Sequence, residues 1–131
     1  MLRKIRKLLK KQEGFTLVEL MIVVVILGIL AGIGVQQYGN IQERAKKAAD
    51  EANRKVLTNA ANMWLIMNGG FEEAEKTFKG ANNELVSQYY VDEWPTNPYN
   101  DQQGYVVTIK KIEEDGSERY SIAVSYEEVQ D

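Results

Sequence analysis

Apolar and polar positions fall into three regimes along the chain. From Leu20 to Val35 no side chain is charged or strongly polar, and Phe15 to Leu17 extend the run on the other side of Glu19. An uninterrupted apolar stretch of this length predicts a helix able to cross a hydrocarbon layer of ~30 Å. From Tyr38 onward the apolar residues recur at three and four positions, as Tyr38, Ile41, Ala45, Ala48, Ala52, Val56, Ala60, Met63 and Met67, with Ala49 and Trp64 widening the stripe. That spacing predicts an amphipathic continuation of the same helix. Glu43–Lys47, Asp50–Arg54 and Glu51–Lys55 sit four apart with the acid first, the better orientation for helix pairs. Asn68-Gly69-Gly70 supplies a left-handed stop. At ~1.5 Å per residue, a helix from about Phe15 to Met67 would be roughly 80 Å long. A domain this small cannot enclose it, so other chains or lipid must cover about half of it.

Beyond Gly70 the pattern shortens. Phe71 to Phe78 predicts a brief helix with Phe71, Ala74 and Phe78 inward, and Glu84 to Val91 a further turn or an edge strand. Trp94-Pro95-Thr96-Asn97-Pro98-Tyr99-Asn100-Asp101 is turn chemistry, with two prolines and two asparagines between aromatic anchors. Strict alternation follows. Tyr105, Val107 and Ile109 lie on one face of a strand, and Tyr120, Ile122, Val124 and Tyr126 on one face of its return, around the hairpin signal Glu114-Asp115-Gly116-Ser117. The apolar face of this hairpin should cover the Trp64–Ala60–Val56 side of the helix, leaving a polar tail over 127–131. The fold class expected is α+β, a long N-terminal helix with a small antiparallel sheet on its upper half. Its divisions are a basic leader over 1–14, an apolar helix over 15–36 and a head over 37–131. The head comprises the amphipathic helix 37–67, a connection 68–104 and the hairpin 105–126.

Composition narrows the chemistry. The 131 residues hold no His and no Cys, which removes His-based acid–base catalysis, Ser-His-Asp triads and Cys/His metal sites. Gly69-Gly70 is not followed by Lys-Ser/Thr, so it is no phosphate loop. No catalytic constellation is visible and no cofactor is expected. Asn97, Asn100 and Asp101 are oxygen donors of a kind that suits calcium, but one charge among three and an irregular spacing fit a structural turn better. Seven tyrosines fall at strand and helix spacings that suit packing. Without its first 14 residues the chain carries ten basic against eighteen acidic side chains, which argues against direct nucleic-acid binding.

The most informative residue is Glu19. One carboxylate in a lipid-facing helix costs about 2.5–3.5 kcal/mol on insertion scales, so it needs a partner. Cutting the chain between Gly14 and Phe15 would create one, a new amine at Phe15. Ahead of that junction, Arg3, Lys4, Arg6, Lys7, Lys10 and Lys11 oppose only Glu13, a bias that holds this flank in the cytoplasm and sends the rest outside. Leu2, Ile5, Leu8 and Leu9 at helical spacing would let the leader lie on the inner leaflet. An uncleaved anchor, or a secretory signal cut after the apolar run that ends Leu30-Ala31-Gly32-Ile33-Gly34-Val35-Gln36, are the alternatives on composition alone. The bland reading of Glu19 is a helix-dipole partner for the first turn.

The basic leader, Gly14 before Phe15, Thr16-Leu17-Val18-Glu19 and the run Leu20 to Ala31 together resemble the type IV filament family of pilins and pseudopilins. The resemblance is strong from Gly14 to about Tyr38 and architectural beyond. It implies that a prepilin peptidase cuts after Gly14 and methylates the amine of Phe15, and that Glu19 pairs with the amine of a neighbouring subunit. It implies a helical homopolymer, built from the inner membrane with a platform protein and an assembly ATPase and displayed at the cell surface. A major pilin is the leading expectation and a pseudopilin of type II secretion or DNA uptake the alternative. A membrane-anchored binding module is the reading of a different class. Many members have a Pro where this chain has Gln36, and many a disulfide that this chain lacks. Gly28, Gly32 and Gly34 are therefore the candidates for a segment that melts when the subunit leaves the bilayer, since each weakens a helix by about 1 kcal/mol relative to Ala.

Overall fold

A computed structural model of the chain describes residues 14–128. The leader, apart from Gly14, and the last three residues of the expected tail lie outside the described residues. The elements are α1 (Leu17–Asn68), β1 (Glu75–Lys79), α2 (Glu84–Ser87), β2 (Gln103–Glu114) and β3 (Ser117–Glu128). The α+β class expected from the pattern is observed. Two units divide the chain, Met1–Gln42 and Glu43–Asp131, so the apolar part of α1 and the head are taken in turn.

In the first unit α1 starts at Leu17 because Thr16 caps it. The Thr16 carbonyl accepts the first helical bond from Leu20 N at 3.1 Å while Thr16 itself stays outside the helix. The helix then runs unbroken through Gly28, Gly32, Gly34 and Gln36. Its side chains from Leu17 to Val35 are exposed all round, and a Cβ added at any of these three glycines would meet open space. The helix is long and apolar enough to cross a membrane.

In the second unit α1 ends as Asn68-Gly69-Gly70 foretells. Gly69 and Gly70 adopt φ of 67° and 96°, and Gly70 N donates to Leu65 O at 3.2 Å, the six-to-one bond of a glycine-terminated helix. Three antiparallel strands follow in the order β1-β2-β3. The hairpin is longer than the alternation suggested, pairing Gln103 with Glu128 through to Glu114 with Ser117. The residues left over are Asp115 at φ 51° and Gly116 at φ 76°, the two left-handed positions of a type I′ turn. Glu127 and Glu128, expected in the tail, belong to β3.

The brief helix expected over Phe71–Phe78 does not form. Residues 75–79 pair instead with β2, Glu75 opposite Lys110 and Lys79 opposite Val106. The unpaired edge of β2 can satisfy a neighbouring backbone, and strand geometry still buries Phe78, while Ala74 stays exposed. The segment 84–91 resolves into the short helix α2, capped by Asn83, whose Oδ1 accepts from Leu85 N at 2.8 Å.

The core joins Leu57, Ala60, Ala61 and Trp64 of α1 to Phe78, Leu85, Val91, Trp94, Tyr105, Val107 and Ile109. Tyr120, Ile122, Val124 and Tyr126 of β3 pack against it half-buried. The covered side of α1 is thus rotated from the expected one. Trp64 and Ala60 are inside, but Val56 is 49% exposed and Leu57 and Ala61 take its place. Of the anticipated i,i+4 pairs, Asp50–Arg54 closes at 2.9 Å, and neither Glu43–Lys47 nor Glu51–Lys55 forms an ion pair among the described residues.

Candidate functional site

Gly14, Phe15 and Thr16 precede the helix in open backbone, and the Phe15 side chain is 90% exposed. Glu19 sits in the first turn and folds back: its Oε2 accepts from Thr16 N at 2.8 Å, while Thr16 Oγ1 accepts from Glu19 N at 3.2 Å. This reciprocal pair is a capping box. Two of the helix's orphan N–H groups are satisfied, and the carboxylate gains a donor without any second chain. In this structure the Glu19 carboxylate thus serves the first turn of the helix through Thr16. Thr16 is a residue to which the charge of Glu19 alone does not point. The signal was present as Thr16-Leu17-Val18-Glu19, a Thr followed three residues later by Glu ahead of an apolar run. A cut after Gly14 would place the new amine on the residue adjacent to Thr16, next to the donor that Glu19 already engages.

The head holds a second polar constellation. Asp50 of α1 accepts from the hydroxyl of Tyr105 at 2.7 Å, from the hydroxyl of Tyr126, and from Arg54 Nε at 2.9 Å. Arg54 also donates through Nη1 to Val124 O at 2.5 Å, and its guanidinium lies 4.6 Å from the Tyr126 ring centroid. Tyr105 and Tyr126 face each other directly in the β2–β3 register, so one carboxylate clamps both strands to the helix. Burial pushes the Asp50 carboxyl up, but the bonds from Tyr126, Tyr105 and Arg54 outweigh it and hold the group below the usual carboxylate range. Burial first, and the bond to Asp50 second, push the Tyr105 phenol well up. The alternation placed both tyrosines inward, but nothing in the sequence pointed to Asp50 as their common acceptor. The three bonds to Asp50 and the bond from Arg54 to Val124 O tie the sheet to the helix, which gives the cluster a structural role.

The loop oxygens considered for calcium are differently engaged. Asn97 is buried, and its Oδ1 accepts from Tyr99 N at 2.9 Å; Asn100 Oδ1 accepts from Gln102 N at 3.0 Å. Both are Asx turns that hold the loop on β2, where Trp94 Nε1 donates to Tyr105 O at 3.2 Å. Asp101 is exposed at the rim of a cleft that also carries Lys79 and Glu127.

Residues 9–35 match the family model of the prokaryotic N-terminal methylation motif. The chain is 35% identical over 92 residues to type II secretion system core protein G of Vibrio cholerae, covering 70% of this chain and 56% of that protein. It is 45% identical over 58 residues to a fimbrial protein of Pseudomonas aeruginosa, covering 44% of this chain and 38% of the relative. It is 46% identical over 50 residues to the type IV major pilin protein PilA of Myxococcus xanthus, covering 38% and 23%. The chain spans about half the length, or less, of these curated relatives. No solved structure matches it significantly. With the methylation motif matched over residues 9–35, and relatives among both secretion proteins and pilins, these likenesses support a type IV pilin-like family for the chain.

Proposed function

We propose that this chain is a structural subunit of a type IV filament. It is cut after Gly14, methylated on the amine of Phe15 and drawn from the cytoplasmic membrane into a helical homopolymer. The observation that carries the reading is an apolar helix whose side chains from Leu17 to Val35 are all uncovered, with a single carboxylate in its first turn. Lipid covers such a surface before assembly and copies of the same helix cover it afterwards; at ~25 cal/mol per Å², a few hundred Å² per neighbour is enough to drive the exchange. Glu19 gives the packing its register by taking up the Phe15 amine of a neighbour, moving from the Thr16 N–H to a full positive charge. Gly28, Gly32 and Gly34 lower the barrier to local unwinding as the helix leaves the bilayer. The partners are a prepilin peptidase, a platform protein and an assembly ATPase, and the product is a major pilin of a surface pilus.

A pseudopilin of type II secretion is the second reading, and one observation favours it. Likeness to the Vibrio cholerae secretion protein extends over 92 residues, which must include much of the head, whereas likeness to the two pilins spans 50 and 58. Intact mass separates the possibilities. Sheared polymer beginning at methylated Phe15 marks a surface pilus; processed chain confined to membranes marks a pseudopilin; retention of residues 1–14 throughout overturns both. Glu19→Ala should insert and be cut but assemble poorly, and a normal polymer yield from it removes the pairing role.

A further inference from the structure

The part of α1 inside the head has two faces, and the sheet covers one. Counting about 100° per residue, Asn53, Leu57, Ala60, Ala61 and Trp64 turn toward the core. Ala45, Ala48, Ala52, Val56 and Met63 form a second apolar stripe beside it, all exposed, with Met63 at 57%. The two edges of this uncovered stripe differ in charge. On one edge α1 is bordered by the loop 93–96: Asn53 Nδ2 donates to Thr96 O at 3.2 Å, and Glu93 and Asn53 line the same shallow cleft. Glu93 lies in that loop and Asp92 immediately precedes it, both exposed, and helical spacing puts the half-buried Lys46 on the Asn53 side of α1. On the other edge stand Arg44 and Lys55, with Lys47 and Glu51 behind them, all exposed. None of Arg44, Lys47, Lys55, Asp92 and Glu93 forms an ion pair among the described residues.

We propose that this stripe is the docking face for the head of a second copy of the chain, with the Arg44/Lys55 edge of one copy set against the Asp92/Glu93 edge of the next. The inference rests on the filament reading and adds to it which surfaces meet and in which sense. A face acidic along one edge and basic along the other is complementary to itself only in parallel. Turning the second copy about an axis along the helix brings opposite edges together, whereas turning it end over end brings like edges together. Like charges set opposite each other across an interface cost several kcal/mol, so the pattern selects parallel neighbours. The small alanines at 45, 48 and 52 let the partner approach closely, and exclusion of water there strengthens the edge pairs.

The test uses the full chain in cells that assemble it. Arg44→Glu with Lys55→Glu, and separately Asp92→Lys with Glu93→Lys, should each lower the yield of polymer by about tenfold or more, because each sets like charges across the face. All four substitutions together should restore the yield to within about threefold of wild type, since the pairs are re-formed with their signs exchanged. Tryptophan fluorescence of each variant checks that the head is folded. Reversal variants that polymerise like wild type, or a fourfold variant that assembles as poorly as the folded double variants, would overturn the docking edge while the filament reading stands. A wild-type chain that yields no polymer would instead sink the filament reading on which the edge depends.

Discussion

Replacing Asp50 by Asn tests whether one carboxylate holds the sheet to the helix. The substitution keeps the side-chain shape, leaves one carbonyl oxygen for the two tyrosine hydroxyls and turns an amide toward the Arg54 donors. Three hydrogen bonds to a charged acceptor are lost or weakened, from Tyr105, Tyr126 and Arg54. Hydrogen bonds to charged groups contribute about 1.5–3 kcal/mol each, and breaking a fully buried ion pair costs about 3–5. Here the Asp50 and Arg54 side chains are 15% and 33% exposed, so water takes up part of the loss. A net cost of about 2–3 kcal/mol is expected, which at 4–8 °C per kcal/mol for a domain of this size lowers Tm by roughly 10–20 °C. Both tryptophans, Trp64 and Trp94, lie in the head core, so their fluorescence during heating of the full chain in detergent reports on this unit directly. The pH dependence supplies a second check. Because the folded-state pKa of Asp50 lies below its unfolded value, its stabilisation is fully present above about pH 4 and is lost as pH falls through the folded value. The gap between wild type and Asp50→Asn should therefore be constant from pH 5 to 7 and close in more acidic solution. A Tm drop under about 4 °C at pH 7, or a gap that persists to the lowest pH, would show that the clamp does not hold the sheet.

Other outcomes follow from single contacts. Thr16→Val removes the hydroxyl that accepts from Glu19 N and should cost about 1 kcal/mol of local helix stability, seen as faster amide exchange at Leu17–Leu20; unchanged exchange would deny the capping box. Tyr89 stands at φ 61° just past α2 with its side chain 86% exposed, so Tyr89→Gly should raise head stability by about 1 kcal/mol, and a loss on heating would count against the strain. A Cβ at Gly70, where φ is 96°, would collide with the Tyr120 hydroxyl. Gly70→Ala should destabilise the head by about 2 kcal/mol, and adding Tyr120→Phe should recover part of it; no recovery would mean that backbone strain alone accounts for the loss. Above about pH 10 the head should lose stability, because Tyr105 resists ionisation when folded; denaturant titration of wild type against Tyr105→Phe checks this, the variant losing less.

Several features were legible because they depend on neighbours in the chain. Continuous apolarity from Leu20 to Val35 implied an uncovered helix, and Asn68-Gly69-Gly70 its end, since backbone sterics at the glycines act within one turn. Asp115-Gly116 marked the hairpin because only a residue pair tolerant of positive φ closes a two-residue loop. Even the capping box is written as Thr16 and Glu19 three apart, a spacing that gives the carboxylate a donor within its own turn.

What local pattern left open was which partner each face would meet. Residues 75–79 have no strong preference of their own, and they became a strand because β2 offered an unpaired edge opposite Lys110 to Val106. Both stripes on α1 are apolar at helical spacing, so periodicity alone could not tell that Leu57 and Ala61 lie under the sheet while Val56 and Met63 remain outside. That choice depends on where the strands arrive, and their arrival is pinned by Asp50 reaching Tyr105 and Tyr126 across 55 and 76 residues of chain. Spacing along a chain specifies conformation over one or two turns; pairing across tens of residues is specified by the fit of surfaces that exist only once the chain has folded.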